Sequence, residues 1–144
     1  MLGLLNISEA MSIALHTCAW LADDPEKFHS ARQISDKLGF SAHHFAKVVQ
    51  QLVRAGILET ERGPSGGAKL ARNAAAITLL EIYVAAGGNP DTKGCLLKSN
   101  ICDGKSCMLG KLMAAENKRL LILLRKTTLA SLVRSLKKNR KANA

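Results

Sequence analysis

Aromatic residues are almost absent from this chain: three Phe, one Tyr and one Trp make up 3% of its 144 residues. Any core must therefore be built from Leu, Ile, Val and Ala. No stretch approaches the roughly 18 uncharged apolar residues that a membrane-spanning helix needs. The apolar opening, Met1 to Ala22, has no basic leader, is interrupted by Glu9 and His16, and is followed by no small-x-small cleavage site, so a secretory signal is not expected. There is no phosphate-binding glycine loop, dinucleotide fingerprint, paired carboxylate constellation or nucleophile elbow, which argues against an enzyme. Internal repeats and extended low-complexity segments are missing too. Negative charge is scarce: 11 acidic residues against 21 Lys and Arg leave a formal charge of +10. That surplus is expected to attract a polyanion, nucleic acid or an anionic membrane surface.

What is present reads as a globular protein, with 47% hydrophobic and 22% charged residues. The length suits one domain, or one domain with an appended helix. A first helix is expected from about Ser8 to Ala22, with Leu15, Cys18, Ala19 and Ala22 sharing a face. Ser30 is placed to cap a short helix that carries Ile34 and Leu38 and stops at Gly39. Ser41 caps another, with Phe45, Val48, Val49, Leu52 and Val53 on one side and Gly56 at its end. Ile57–Arg62 and Ala68–Leu70 then read as strands around the turn Gly63-Pro64-Ser65-Gly66-Gly67. Two short helices joined by a tight turn and followed at once by a glycine-rich hairpin predict a winged helix-turn-helix. Ile77 to Ala86 reads as a further helix, and Leu109 to about Leu136 as one long amphipathic helix of about 28 residues, roughly 42 Å.

The expected fold is mainly α with a small β-hairpin wing and a long C-terminal dimerisation helix. The boundaries read as a DNA-binding domain over 1–75, a connecting helix and cysteine-rich loop over 76–108, the dimerisation helix over 109–138, and a disordered basic tail over 139–144. The stripe Leu109, Leu112, Met113, Leu120, Leu123, Leu124, Leu132, Val133 and Leu136 is too long for one small domain to cover, so a second copy of the chain is its natural partner. A membrane-surface helix is the competing use of such a stripe.

In a helix-turn-helix the second helix enters the major groove by its N-terminal end. With the apolar residues turned inward, Ser41, His43, His44 and Lys47 become the candidate DNA contacts, with Gln51 and Arg54 behind them and Gln33 of the preceding helix within reach of a phosphate. On the hairpin, Arg62, Ser65, Lys69 and Arg72 surround a tip of small residues that lets backbone approach a narrow groove. A solvated polar face is the ordinary alternative for each of these.

Three of the four cysteines fall within thirteen residues, as Cys95, Cys102 and Cys107. In the reduced cytoplasm, the expected location, clustered thiols more often bind metal or do redox chemistry than form structural disulfides. Soft thiolates suit zinc or an iron–sulfur cluster. Three ligands are one short of a closed zinc site, and the spacing is not that of a zinc ribbon. Cys18 reads as a core thiol.

The segments Ile7-Ser8-Glu9-Ala10 leading to Ala14-Leu15-His16, Leu52-Val53-Arg54-Ala55-Gly56-Ile57-Leu58, and Arg62-Gly63-Pro64-Ser65-Gly66-Gly67-Ala68-Lys69-Leu70-Ala71-Arg72 carry a resemblance to the IscR/NsrR-like (Rrf-type) bacterial winged-helix regulators. It continues through Ile77-Thr78-Leu79-Leu80-Glu81-Ile82 to the cysteine loop and fades after about Lys137. It implies a homodimer that binds a palindromic operator on double-stranded DNA, usually as a repressor, with no membrane role. It also implies an iron–sulfur cluster on Cys95, Cys102 and Cys107 that senses redox, nitric oxide or iron status, 2Fe–2S being preferred to 4Fe–4S. No histidine follows Cys107 closely, which departs from part of the family, so the fourth ligand falls to the partner's first helix: His16 first, with Ser12 and Glu9 behind it. A clusterless regulator of the same fold, switched by thiol–disulfide chemistry, is the alternative.

Overall fold

The computed structural model describes residues 7–90, 101 and 106–142. Its first helix, α1 (Glu9–Leu21), starts where Ser8 Oγ accepts from Met11 N at 3.2 Å, with Glu9 in the first turn favouring the positive end of the helix dipole. Met11, Ile13, Ala14, Thr17, Cys18, Ala19 and Leu21 are all buried. That arc is too wide for a surface helix, and α1 accordingly lies at the centre of the packing.

Around it sit α2 (Ala31–Leu38) and α3 (Ala42–Arg54). Ser30 and Gln33 form a reciprocal cap at the start of α2, and Gly39, at φ 72°, ends it in the left-handed region. Ser41 caps α3, which buries Phe45, Val48 and Leu52 along one stripe. The chain then forms the hairpin of β1 (Leu58–Glu61) and β2 (Gly67–Leu70), antiparallel with Leu58 opposite Leu70 and Glu61 opposite Gly67. His29, just before α2, adds a one-residue rung: its N–H donates to Ala68 O at 3.0 Å and its carbonyl accepts from Ala68 N at 2.8 Å. The backbones approach so closely there that a Cβ on Gly67 would overlap the His29 carbonyl, and Gly67 also holds φ 143°. The wing is thus fastened to the helical body.

A 3-10 turn, Ala74–Ala76, leads to α4 (Leu79–Ala85), capped reciprocally by Thr78 and Glu81. The expected single helix from Leu109 onward is instead two, α5 (Met108–Lys126) and α6 (Leu129–Ala142). Thr127 is extended, at φ −92° and ψ 123°. Leu79 N donates to Thr127 O at 2.9 Å, Leu129 N donates to Ile77 O at 2.8 Å, and Thr78 pairs with Thr128. Two adjacent β-branched residues adopt these extended positions readily. Thr128 Oγ1 then accepts from Ser131 N at 3.2 Å and restarts the helix. As a result α6 folds back on the helical body: Leu129 and Val133 are buried, and Lys137 Nζ lies 3.0 Å from Asp23 Oδ1. The tail expected to be disordered from residue 139 is helical through Ala142. α5, by contrast, buries no residue.

Candidate nucleic-acid interface and sensor loop

Phe45, Val48 and Leu52 point α3 inward, which leaves His43, His44, Lys47, Gln50 and Arg54 exposed. His43, Lys47, Gln50 and Arg54 follow one another at helical spacing. Gln50 was not among the sequence candidates, although its position three residues after Lys47 puts it on the same stripe. Ser41 is committed to the cap, its Oγ accepting from His44 N at 3.3 Å. Gln33 is likewise engaged: its Oε1 accepts from Ser30 N at 2.9 Å, which leaves its amide nitrogen for any outside partner. His44 Nδ1 lies 3.1 Å from Glu9 Oε2 of α1, and its ring centre is 6.1 Å from that of His43. Nothing in the sequence pattern paired Glu9 with His44, since the two are 35 residues apart.

On the wing, Arg62 and Ser65 are exposed beside Pro64. Lys69 is less available. Its Nζ lies 3.2 Å from Glu59 Oε1 and 4.8 Å from the centre of the Phe28 ring, and the side chain is only 22% exposed. Arg72 belongs to the scaffold. It donates to Gly56 O, Ala76 O and Glu81 Oε1 at 3.3, 3.2 and 2.8 Å, joining the end of α3, the 3-10 turn and α4. The Thr78 N–H holds the Glu81 carboxyl below its ordinary range; burial opposes it, and Arg72 and the Thr78 hydroxyl add to the lowering.

Of the sensor candidates, Cys95 and Cys102 lie outside the described residues. Cys107 stands at the N-cap of α5, half-buried, its Sγ accepting from Gly110 N at 3.3 Å. His16 is exposed on α1 with Nδ1 2.7 Å from Ser12 O. A carbonyl cannot donate, so Nδ1 carries the proton and Nε2 of the neutral ring keeps its lone pair. Ser12 Oγ is 3.4 Å from the same nitrogen, and Glu9 is paired with His44. Among the described residues no group of three or more His, Cys, Asp and Glu is arranged to hold a metal ion. Cys18 is fully buried, and desolvation pushes its thiol up to about 12, so it is an inert core group. No described helix is long and apolar enough to cross a membrane.

Comparison with known proteins agrees with this geometry. The structure of CymR, titled the global cysteine regulator of B. subtilis, superposes with a TM-score of 0.75 at 23% identity, covering 92% of this chain and 98% of CymR, a likeness of fold. IscR of Yersinia pseudotuberculosis, named as an HTH-type transcriptional regulator, is 27% identical over 131 residues, which are 91% of this chain and 76% of IscR. BadM of Rhodopseudomonas palustris is 38% identical over 78 residues, 54% of this chain, and the match spans only 50% of BadM. Residues 7–135 match the Rrf2 family, described as an iron-dependent transcriptional regulator, and the chain belongs to that family of DNA-binding transcription regulators rather than to any enzyme class.

Proposed function

We propose that the protein is a homodimeric repressor of the cytoplasm that binds a palindromic operator and senses redox, nitric oxide or iron status through an iron–sulfur cluster. The position of Cys107 carries this reading. It caps the helix whose apolar face is uncovered: Met108, Leu109, Leu112 and Leu123 are 85, 50, 57 and 59% exposed. A second copy of α5 is the partner that such a stripe fits. A thiol at that cap therefore sits where the cysteine loop meets the pairing helix, and the Gly110 N–H directed at its sulfur is the kind of donor that tunes a cluster ligand.

Cys95, Cys102 and Cys107 supply the thiolates, and His16 of the partner subunit supplies the fourth ligand through Nε2, its ring orientation set by the bond to Ser12 O. When bound, the cluster supplies iron that reacts with oxygen or nitric oxide, with 2Fe–2S the preferred form. The loop, once ordered by its ligands against α1 of the other protomer, fixes the separation of the two α3 helices. Arg62, Ser65 and the exposed side chains of α3 meet the operator at that separation.

The test is visible absorption with iron and sulfide counts on anaerobically purified protein. Wild type is expected to be coloured with stoichiometric iron and sulfide, Cys107→Ser to lose the colour, and His16→Ala to shift the spectrum. Colourless wild type overturns the cluster reading, and a disulfide among its cysteines favours a thiol switch.

A further inference from the structure

His44 stands in the first turn of α3 and Glu9 in the first turn of α1, with Nδ1 and Oε2 3.1 Å apart. Both side chains are more than half exposed, at 54 and 61%. A carboxylate oxygen accepts hydrogen bonds and does not donate them, so the ring nitrogen facing it carries the proton. In the neutral imidazole the lone pair is then on Nε2. Free histidine in water favours the opposite arrangement, with the proton on Nε2. A carboxylate beside the groove-entering end of α3 also opposes the phosphate charge, so it weakens rather than strengthens non-specific binding. This chain has few acidic residues and places one there. The exposed neighbours in the first two turns of α3 do not duplicate what this pair offers: Lys47 is a donor only, and among the described residues the histidine–carboxylate pair on α3 is that of His44.

We infer that Glu9 is a positioning residue for base readout. It holds His44 in the Nδ1–H form, so that Nε2 is presented in the major groove as an acceptor for a base bearing an exocyclic amino group, cytosine N4 or adenine N6. This rests on the assignment of His44 to the operator interface. Without Glu9 the ring reverts to the Nε2–H form and offers a donor, which suits the acceptors of guanine, thymine or adenine N7 and no longer suits cytosine.

The experiment uses DNA duplexes selected from a random-sequence pool by the wild-type protein, then single-base variants of the selected site, at about pH 8, above the ordinary histidine range. His44→Ala is expected to lose about tenfold discrimination at one position of each half-site. Glu9→Ala loses the same preference or turns it toward guanine or thymine. Glu9→Gln, which keeps an acceptor oxygen, retains it, and both Glu9 variants bind random duplex equally. In the 15N spectrum of the wild-type protein, the His44 proton is on Nδ1. If His44→Ala loses no discrimination, the assignment of His44 to the interface fails, and the inference with it. If His44→Ala loses discrimination and Glu9→Ala does not, the interface stands and only the role of Glu9 is overturned. A wild-type preference for guanine or thymine at that position, or a ring protonated on Nε2, overturns the acceptor assignment.

Discussion

The helical body around α1 and the helix α5 are both rich in aliphatic residues, yet they place them in opposite ways. In the body, Ile13, Leu21, Ile34, Phe45, Leu52, Ile57, Ile77 and Leu129 are all essentially inaccessible to solvent. In α5 nothing is buried, although it carries Leu109, Leu112, Leu120, Leu121, Ile122, Leu123 and Leu124. The body closes its core within one chain. α5 has apolar area left over, and its stabilisation depends on what covers it. In the proposed homodimer, one part of the molecule is thus stable by itself, and the other depends on protein concentration.

That contrast is breakable. The largest effect is expected in the core, where Phe45→Ala removes the bulkiest buried side chain of α3 and should destabilise the fold by about 3–5 kcal/mol, read by denaturant unfolding at fixed protein concentration. On α5, Leu112→Glu with Leu123→Glu should leave the far-ultraviolet spectrum of the body intact while raising the dimer dissociation constant by about 30-fold or more in sedimentation equilibrium. At the wing junction, Gly67→Ala should cost about 1–3 kcal/mol, because the new Cβ meets the His29 carbonyl and the backbone is left-handed there, and it should loosen the wing by hydrogen exchange. Ser30→Ala removes one cap of α2 and should cost about 1 kcal/mol in thermal unfolding.

The smallest effect concerns Glu81. Its folded carboxyl titrates lower than it would unfolded, so it stabilises the fold above the ordinary glutamate value and loses that contribution as pH falls through the folded one. Glu81→Gln should therefore show a flatter decline of Tm than wild type as pH drops below about 4.3.

The caps and the wing were legible because they are local. Ser30 with Gly39, Ser41 with Gly56, and the glycine-rich turn each determine their geometry within a few residues. The Thr78-x-x-Glu81 cap carried a sequence signature as well, but only the structure joins it to Arg72. The break at Thr127-Thr128 was hidden by apolar periodicity that runs straight through it. What opens the helix there is pairing with Ile77, Thr78 and Leu79, some 50 residues earlier in the chain. Long-range partners also explain the site. Lys69 and Arg72 read as free cations until Glu59, Phe28 and Glu81 are placed beside them, and His44 reads as a bare polar residue until Glu9 is.

In the proposed coupling of the two regions, the cysteine loop at the start of α5 sets the spacing of the two α3 helices. Operator affinity of the same anaerobically prepared dimer, measured with the cluster present and after its removal, addresses it directly. A change of about 5- to 150-fold is expected. Equal affinity in the two forms contradicts the coupling.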